Sequence, residues 1–373
     1  MKVLNVTPTF APAIGGIESV VRDLSFYLKL HGIHSDVMHI STQNKYRRDL
    51  LSDDSIIWRI PLKPNRLVGF TPDIKFILNE YDLIHVHDPQ TMAISFNALT
   101  QNCGKKIVLS THGGFFHTSQ FKWFKTFHWD VLAPSFLRQY DMVFASSESD
   151  FETYKSKTNR IKLVPNGVDV SKFAAVTRTQ SPPSTRWIYW GRLSRNKRLD
   201  LLINAVASAR NNGVEVDLLI AGTDFDGLAQ SLNAEINSLD LNRQVRIVGQ
   251  LSEKELMQEI ASRAVFATAS EYEGFGLSVI EAMAAGLVVI CRDVAPLNGF
   301  VSEGKNGSLL RFDSGEADLR SIINICELNS NRLSVMQGFA RATAQSHDWK
   351  SVILKYIDAY NLVLGTSGAS SNK

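Results

Sequence analysis

Cysteine is scarce in this chain. Its 373 residues hold three, Cys103, Cys291 and Cys326, dispersed and without a CxxC pair. That excludes a disulfide-stapled scaffold and a thiolate zinc site, and it fits free thiols in a reducing compartment. Long hydrophobic runs are missing as well: no stretch approaches the roughly 18 apolar residues a membrane helix needs. The opening MKVLNVTPTF has one Lys, a very short apolar run and no small-residue cleavage site. It reads as a buried first strand and not as a secretion signal, so the expectation is a cytoplasmic chain. Nor is there a charge excess of one sign, since Lys plus Arg number 40, Asp plus Glu 37, and the net charge is +3. That gives no ground for a nucleic-acid partner, while contact with an anionic surface remains open. GxGxxG and GxxxxGK[ST] are both absent, which argues against a nicotinamide dinucleotide and a P-loop ATPase.

What is present is a soluble globular composition, 44% hydrophobic and 21% charged, long enough for two domains. Short apolar runs alternate with helical patterns from end to end. VLNVTP (3–8), HSDVMHI (34–40), DLIHVH (82–87), KIVLST (106–111) and MVFASS (142–147) read as strands. The pattern restarts with RWIYWG (186–191), VDLLIAG (216–222), VRIVG (245–249), AVFATAS (264–270) and LVVICR (287–292). Several are continuous apolar runs, as strands covered on both faces should be. Ile17, Val20, Val21, Leu24, Tyr27 and Leu28 fall at helical spacing between them, as do Leu201, Leu202, Ala205 and Val206. Two rounds of alternation predict two parallel-sheet α/β domains. The boundaries are expected at 1–173 for the first and 186–347 for the second. Between them 174–185 (AAVTRTQSPPST) reads as a linker, with an amphipathic helix over 348–364 and a disordered tail, 365–373. Ligands of such sheets bind beyond the carboxyl ends of the strands, so a cleft between the two domains is the expected site.

The residues that follow strands carry the chemistry. Gly15-Gly16, between the first strand and first helix, let backbone N–H groups approach a phosphate at the positive end of the helix; a plain tight turn is the competing reading. In WGRLSRNK (190–197), Arg192 and Lys197 bracket a short loop where two cations can grip a diphosphate, although a solvated basic loop would look alike. The segment SEYEGFGLSVIEAMAAG (270–286) is the most telling. Gly274, Phe275 and Gly276 put Glu273 in a loop and Glu281 about one turn into a helix starting near Leu277, whose first amides then face the phosphate. The plainer alternative makes Glu273 a helix cap and Glu281 a surface ion-pair partner. In STHGGFFHT (110–118), His112 and Gly113 end a strand above the expected crevice, where His112 can donate to a sugar or phosphate oxygen. His85 and His87 share a strand face with no third ligand in the segment, so they read as packing residues.

Together the Gly15-Gly16 loop, NGVD (166–169), GRLSRNK, IAG (220–222) and the E-x7-E closing on EAMAAG resemble the nucleotide-sugar glycosyltransferases of the GT-B fold, in their large retaining family 4. STHGGFFHT, ASSESD (145–150) and the aromatic stretch between them resemble the GDP-mannose-dependent enzymes that mannosylate polyprenyl-diphosphate-linked cellobiose in xanthan- and acetan-type polysaccharide assembly. The resemblance implies two Rossmann-like domains, a C-terminal helix that returns to the N-terminal one, and a hexosyltransferase that needs no metal. It implies that Gly16 packs against the donor diphosphate and that Arg192 and Lys197 neutralise it as it leaves. Glu273 would contact the transferred sugar, the amides after it the phosphates, and Glu281 the ribose; Gly222 closes the donor-side strand end. His112, Gly113 and Ser147 fall on the acceptor side. Arg198 stands where many relatives have Gly, a departure in the loop after Lys197. A UDP-glucose or UDP-N-acetylglucosamine transferase, a nucleotide-sugar epimerase and a non-catalytic carbohydrate binder are the alternatives. Residues 115–130, FFHTSQFKWFKTFHWD, and KYRRDL (45–50) mix aromatic and basic residues, which suits peripheral attachment to the inner face of the cytoplasmic membrane; a core helix plus a solvated loop is the plainer account.

Overall fold

The computed structural model describes residues 1–11, 15–41, 46–61, 73–87, 93–102, 104–113, 128–176, 182–313 and 315–366. It divides into two compact units, Met1–Gly167 with Trp349–Lys373, and Val168–Asp348.

The first unit is built on an eight-stranded sheet in the order β3-β4-β2-β1-β5-β6-β7-β8. These strands are β1 Lys2–Thr7, β2 His34–Ser41, β3 Arg47–Leu50, β4 Ile56–Pro61, β5 Leu83–His87, β6 Lys106–Ser110, β7 Met142–Ala145 and β8 Ile161–Leu163. Every pairing is parallel except β3 on β4. The interior strands are buried on both faces, and β5 is buried along its whole length, its histidines included. Helix Gly16–Leu30 buries Val20, Val21, Leu24, Tyr27 and Leu28, the stripe its spacing predicts. Helix Trp349–Leu364 clusters with this unit and packs along helix Gly16–Leu30. Trp349 stacks on Tyr27 at 5.8 Å and lies so close to Gly167 that a Cβ there would come within 2.3 Å of the ring.

The second unit has a six-stranded, wholly parallel sheet in the order β11-β10-β9-β12-β13-β14. Its strands are β9 Arg186–Trp190, β10 Asp217–Ala221, β11 Val245–Ile247, β12 Val265–Thr268, β13 Val288–Arg292 and β14 Gly307–Leu310. Each strand read from an apolar run is therefore present; β3, β4, β8 and β14 are additions. The two units have Rossmann-like parallel sheets, as the GT-B reading requires.

The boundary departs from the composition change. Val168, Val170 and Phe173 belong to the hydrophobic core of the second unit, so the first ends at Gly167 and not at 173. Of the expected linker, Ala174 closes helix Val170–Ala174, and Ser184 donates to the carbonyl of Cys326 at 2.7 Å; residues 177–181 lie outside the described residues. Asp348 stays with the second unit. In the tail, Thr366 closes the final turn by donating from its amide to Asn361 at 3.0 Å, and 367–373 lie outside the described residues.

Candidate active site

In a doubly wound sheet the ligand site lies where chain order reverses, beyond the carboxyl ends of the strands. In the second unit that point is β9, flanked by β10 and β12. The loops that leave these three strands are GRLSRNK, the IAG end and SEYEG, so topology alone gathers the sequence-predicted donor residues. Hydrogen bonds then lock the loops together. The amide of Glu271 donates to the carbonyl of Asn196 at 2.8 Å, and the Asn196 side chain donates to the carbonyl of Tyr272 at 3.3 Å. Gly191 donates to Ala221 at 3.0 Å and Leu193 to Thr223 at 2.8 Å. Gly222 has φ +152° and a Cβ there would sit 1.7 Å from the carbonyl oxygen of Gly191, so only glycine permits this approach.

Lys197 and Glu273 meet directly, Nζ to Oε1 at 2.6 Å, with side chains 14% and 12% exposed. Glu273 therefore holds an ammonium and is not a helix cap. Helix Leu277–Ala284 begins behind Gly276, whose φ of +90° favours glycine; it has no acidic residue in its first turn and no side-chain cap among the described residues. Its positive end is left bare for an anion. Gly274 and Phe275 lead into it, with Phe275 buried against Phe300 at 5.3 Å. Glu281, one turn in, accepts from Trp190 Nε1 at 3.0 Å, which ties it to the end of β9. Arg192 is exposed; Tyr189 donates to its carbonyl at 3.0 Å and its guanidinium lies 4.8 Å from the ring centre of Phe225. Burial first and the Glu273 charge second push the Tyr189 phenol far up, so it stays protonated as that donor.

Arg198 sits at φ +46°, ψ 50°, a left-handed residue between the turn Arg195–Lys197 and helix Leu199–Asn211. Glycine is the natural occupant of such a backbone, so Arg198 departs from the residue that this conformation favours. Arg198 is held there by Asp200 at 2.8 Å and by Glu271. The metal-free expectation goes with the absence of a DxD carboxylate pair at a strand end, yet Asp224-Phe225-Asp226 follows the end of β10. Its carboxylates are engaged with backbone: Asp224 accepts from Leu228 at 2.7 Å and Ala229 at 3.1 Å, and Asp226 accepts from Arg195 at 2.8 Å. Both acids shape loops.

In the first unit the chain order reverses at β1, between β2 and β5. Gly15 is extended at φ −169°, so no turn demands glycine there. Its helix tip differs from that at Leu277, since Glu18 lies in the first turn, its carboxylate 2.4 Å from where a Gly15 Cβ would stand. Gly16 opens the helix. The residues after β6 are more tightly organised. His112 and Gly113 both have positive φ, +48° and +73°. The Gly113 amide donates to Asp150 Oδ2 at 2.9 Å, and the same carboxylate accepts from Thr111 and from Ser146 Oγ. Ser147 is buried and spends its hydroxyl as the N-cap of helix Glu148–Lys155, accepting from the Asp150 amide at 3.2 Å.

His85 and His87 are more than packing. His87 Nδ1 lies 2.8 Å from His112 Nε2, and His87 Nε2 lies 3.0 Å from Asn5 Oδ1. His85 bonds Tyr360 and Ser110, each at 2.7 Å. Burial pulls all three imidazoles down, His112 to about 4, so each is neutral near pH 7. Asn5 and Asp150 were not singled out from the sequence, and His87 was read there only as a packing residue. His87 alone left a signal there, its place at a strand end beside the switch point. Of the aromatic stretch 115–130, residues 115–127 lie outside the described residues. Trp129 packs in the first unit's core, edge-on to Tyr154 at 4.8 Å.

Comparison with known proteins places the chain in a family. Residues 14–172 match the family described as Glycosyltransferase Family 4, and residues 180–340 match Glycosyl transferases group 1. The chain is 29% identical to the GDP-mannose:cellobiosyl-diphosphopolyprenol alpha-mannosyltransferase of Xanthomonas oryzae pv. oryzae over 98% of both chains. It is 27% identical to the protein of the same name from Komagataeibacter xylinus, over 100% of this chain and 96% of that one. Among solved structures it superposes on the sucrose-phosphate synthase of Thermosynechococcus elongatus with a TM-score of 0.78, at 20% identity, covering 98% and 100% of the two chains. Two family matches in chain order, spanning nearly all of a doubly repeated parallel-sheet architecture, place this chain among the family 4 glycosyltransferases of the GT-B fold.

Proposed function

We propose that the chain is a retaining hexosyltransferase that moves mannose from GDP-mannose to a polyprenyl-diphosphate-linked oligosaccharide in exopolysaccharide or cell-surface polysaccharide biosynthesis. The observation that carries the chemistry is the Lys197 ammonium fixed by Glu273 at 2.6 Å in loops that converge on the switch point. The donor and acceptor classes rest on the relatives that align end to end. As the sugar–phosphate bond breaks, charge builds on the β-phosphate, and fixed donors aimed at it stabilise the transition state without reorganising. Arg192, Lys197 and the amides from Gly274 to Leu277 take that role, Glu273 the transferred sugar and Glu281 the ribose. Gly16, with Gly15 before it, packs against the donor's diphosphate, and Gly222 shapes the donor loops by letting the ends of β9 and β10 approach closely. His112 and Gly113 lie by the sugar, and Ser147 shapes the acceptor side through its cap. The leaving phosphate accepts the acceptor's proton, so no side-chain base is required and no metal enters.

A thermal-shift screen of donors tests the assignment. GDP and GDP-mannose are expected to raise the melting temperature more than UDP, UDP-glucose or UDP-N-acetylglucosamine, and EDTA is expected to leave mannosyl transfer unchanged. A larger shift with UDP would replace the donor, while hydrolysis or epimerisation without acceptor would replace the reaction.

We further place the enzyme peripherally on the inner face of the cytoplasmic membrane, where a lipid-linked acceptor is met. Among the described residues no helix is long and apolar enough to cross a membrane. Strand β3 carries Arg47 and Arg48 exposed at a sheet edge, with Leu50 66% exposed beside them. The protein is expected to float with vesicles containing phosphatidylglycerol at low salt and to be released as salt screens the attraction. Protein left wholly at the bottom of the gradient would remove the membrane from this reading.

A further inference from the structure

We propose that Asn5 and His87 are positioning residues that fix the tautomer of His112, so that His112 meets its substrate as a hydrogen-bond acceptor through Nδ1. This rests on the reading of His112 as a substrate-facing residue. It goes further by naming the partner group: a hydroxyl of the sugar, and not a phosphate oxygen.

The relay begins at its buried end. Asn5 on β1 and His87 on β5 are both fully buried. The Asn5 amide nitrogen has two hydrogens, and both are engaged, on Ser25 Oγ at 3.2 Å and Ser35 Oγ at 2.9 Å. The two serines also bond each other, Ser35 Oγ donating to Ser25 Oγ at 3.0 Å, so the amide orientation is set from both sides. Asn5 Oδ1, 3.0 Å from His87 Nε2, can only accept, and His87 Nε2 must carry the proton. A neutral imidazole has one N–H, which leaves His87 Nδ1 bare. His87 Nδ1 therefore accepts from His112 Nε2 at 2.8 Å, and His112 in turn keeps its proton on Nε2 and a lone pair on Nδ1. Among the described residues His112 Nδ1 has no partner, and the ring is half-buried. The backbone cannot turn the ring away: the positive φ of His112 and Gly113 is locked by the Gly113 amide on Asp150 at 2.9 Å.

The chemical consequence is selective. A lone pair facing the ligand welcomes an O–H and repels a phosphate oxygen, which has no hydrogen to offer near pH 7. The relay thus converts a residue that in isolation serves as either donor or acceptor into an acceptor only. It also explains a histidine on β5 with no catalytic contact of its own.

Long-range 1H–15N correlation spectra of the full-length protein at pH 7.5 read the tautomer directly. The expected spectrum has His112 protonated at Nε2 and bare at Nδ1, assigned by its loss in His112→Ala. His87→Leu removes the acceptor; the His112 signals are then expected to move toward a tautomer mixture and kcat/KM to fall about tenfold, the worth of one oriented hydrogen bond. His87→Asn returns an oxygen near the Nδ1 position and is expected to recover most of both readouts. Protonation of His112 at Nδ1 in the wild-type protein overturns the proposal even if the His87 variants fail to fold. So does an unchanged His112 spectrum in a folded His87→Leu protein. The expected tautomer together with wild-type turnover in His112→Ala would leave the relay standing and refute only the substrate reading on which it rests.

Discussion

Lys197→Ala is expected to lower kcat for sugar transfer by roughly 100- to 1,000-fold, the cost of deleting one preorganised donor to a developing anion. The ammonium is unusually well prepared for that task. It is held on Glu273 at 2.6 Å with its side chain only 14% exposed, and the loop behind it is pinned by Asn196 and Glu271. A charge already fixed needs no reorganisation when the diphosphate departs. Deleting it also leaves the Glu273 carboxylate without its partner, which costs about 1.5–3 kcal/mol of stability. A measurable drop in melting temperature should therefore accompany the loss of turnover, and single-turnover measurements with saturating donor separate the two effects. Lys197→Met, which keeps the apolar stem, should be as inactive as the alanine variant, because the charge and not the packing is the working part. Near-normal turnover in either variant would overturn the role given to the whole β9 and β12 loop cluster.

That cluster was legible in the sequence for a physical reason. Two glycines around Phe275, an acid before them and another a turn into the following helix are costly choices unless backbone must approach a ligand, and the costs coincide in one segment. Strands of the parallel sheets were equally plain, because burial on both faces leaves uninterrupted apolar runs. The strands that escaped lack this signature. Strand β3 is RRDL, an antiparallel edge whose charges are placed by Arg59 on Asp49 at 2.8 Å and Arg48 over Trp58 at 5.5 Å. Strand β8 is three half-buried residues, and β14 opens on Gly307, poor strand material whose absent Cβ would lie 2.1 Å from the carbonyl oxygen of Val289. Strand β4, IIWRIP, is interrupted by Arg59 and ends on a proline.

The relay behind His112 was hidden for a different reason. Asn5, Ser25, Ser35 and His87 are distant in sequence and meet only because β2, β1 and β5 are neighbours in the sheet and helix Gly16–Leu30 packs over them. Each looks like an ordinary polar residue until topology brings them together. Asp150 was hidden in the same way, its carboxylate accepting from Thr111, Gly113 and Ser146. Arg198 shows the converse: the sequence marked it as a departure, and the left-handed backbone at φ +46° shows why glycine would be the expected residue there.

Acid should unfold the first unit early, well before its carboxylates titrate. His85 and His87 are fully buried and neutral, with imidazoles pulled far below their ordinary value chiefly by burial. In the unfolded chain each takes up a proton near pH 6.5, while in the folded chain neither does until much lower pH. Their contribution is thus complete above about pH 6.5 and is lost as pH falls below it, each by about 1.4 kcal/mol per further pH unit. Between pH 7 and 5.5 the pair alone removes about 2 to 3 kcal/mol, a large share of the 5–15 kcal/mol typical of a domain. His112, down at about 4, acts in the same direction and over this range with about the same weight, because at pH 5.5 it too stays unprotonated in the folded chain. Asp150 opposes them, since burial raises its carboxyl and its protonation favours the folded state as pH drops. Urea unfolding at 25 °C across pH 5.5–8 should show stability flat above pH 7 and falling below 6.5, with about two to three protons taken up per unfolding event at pH 5.5. A His85→Asn, His87→Asn double variant, even if less stable at pH 8, should show a shallower slope. Stability that holds level from pH 7 to 5.5 would mean that these imidazoles titrate normally, and the neutral three-ring cluster on which the tautomer of His112 depends would fall with it.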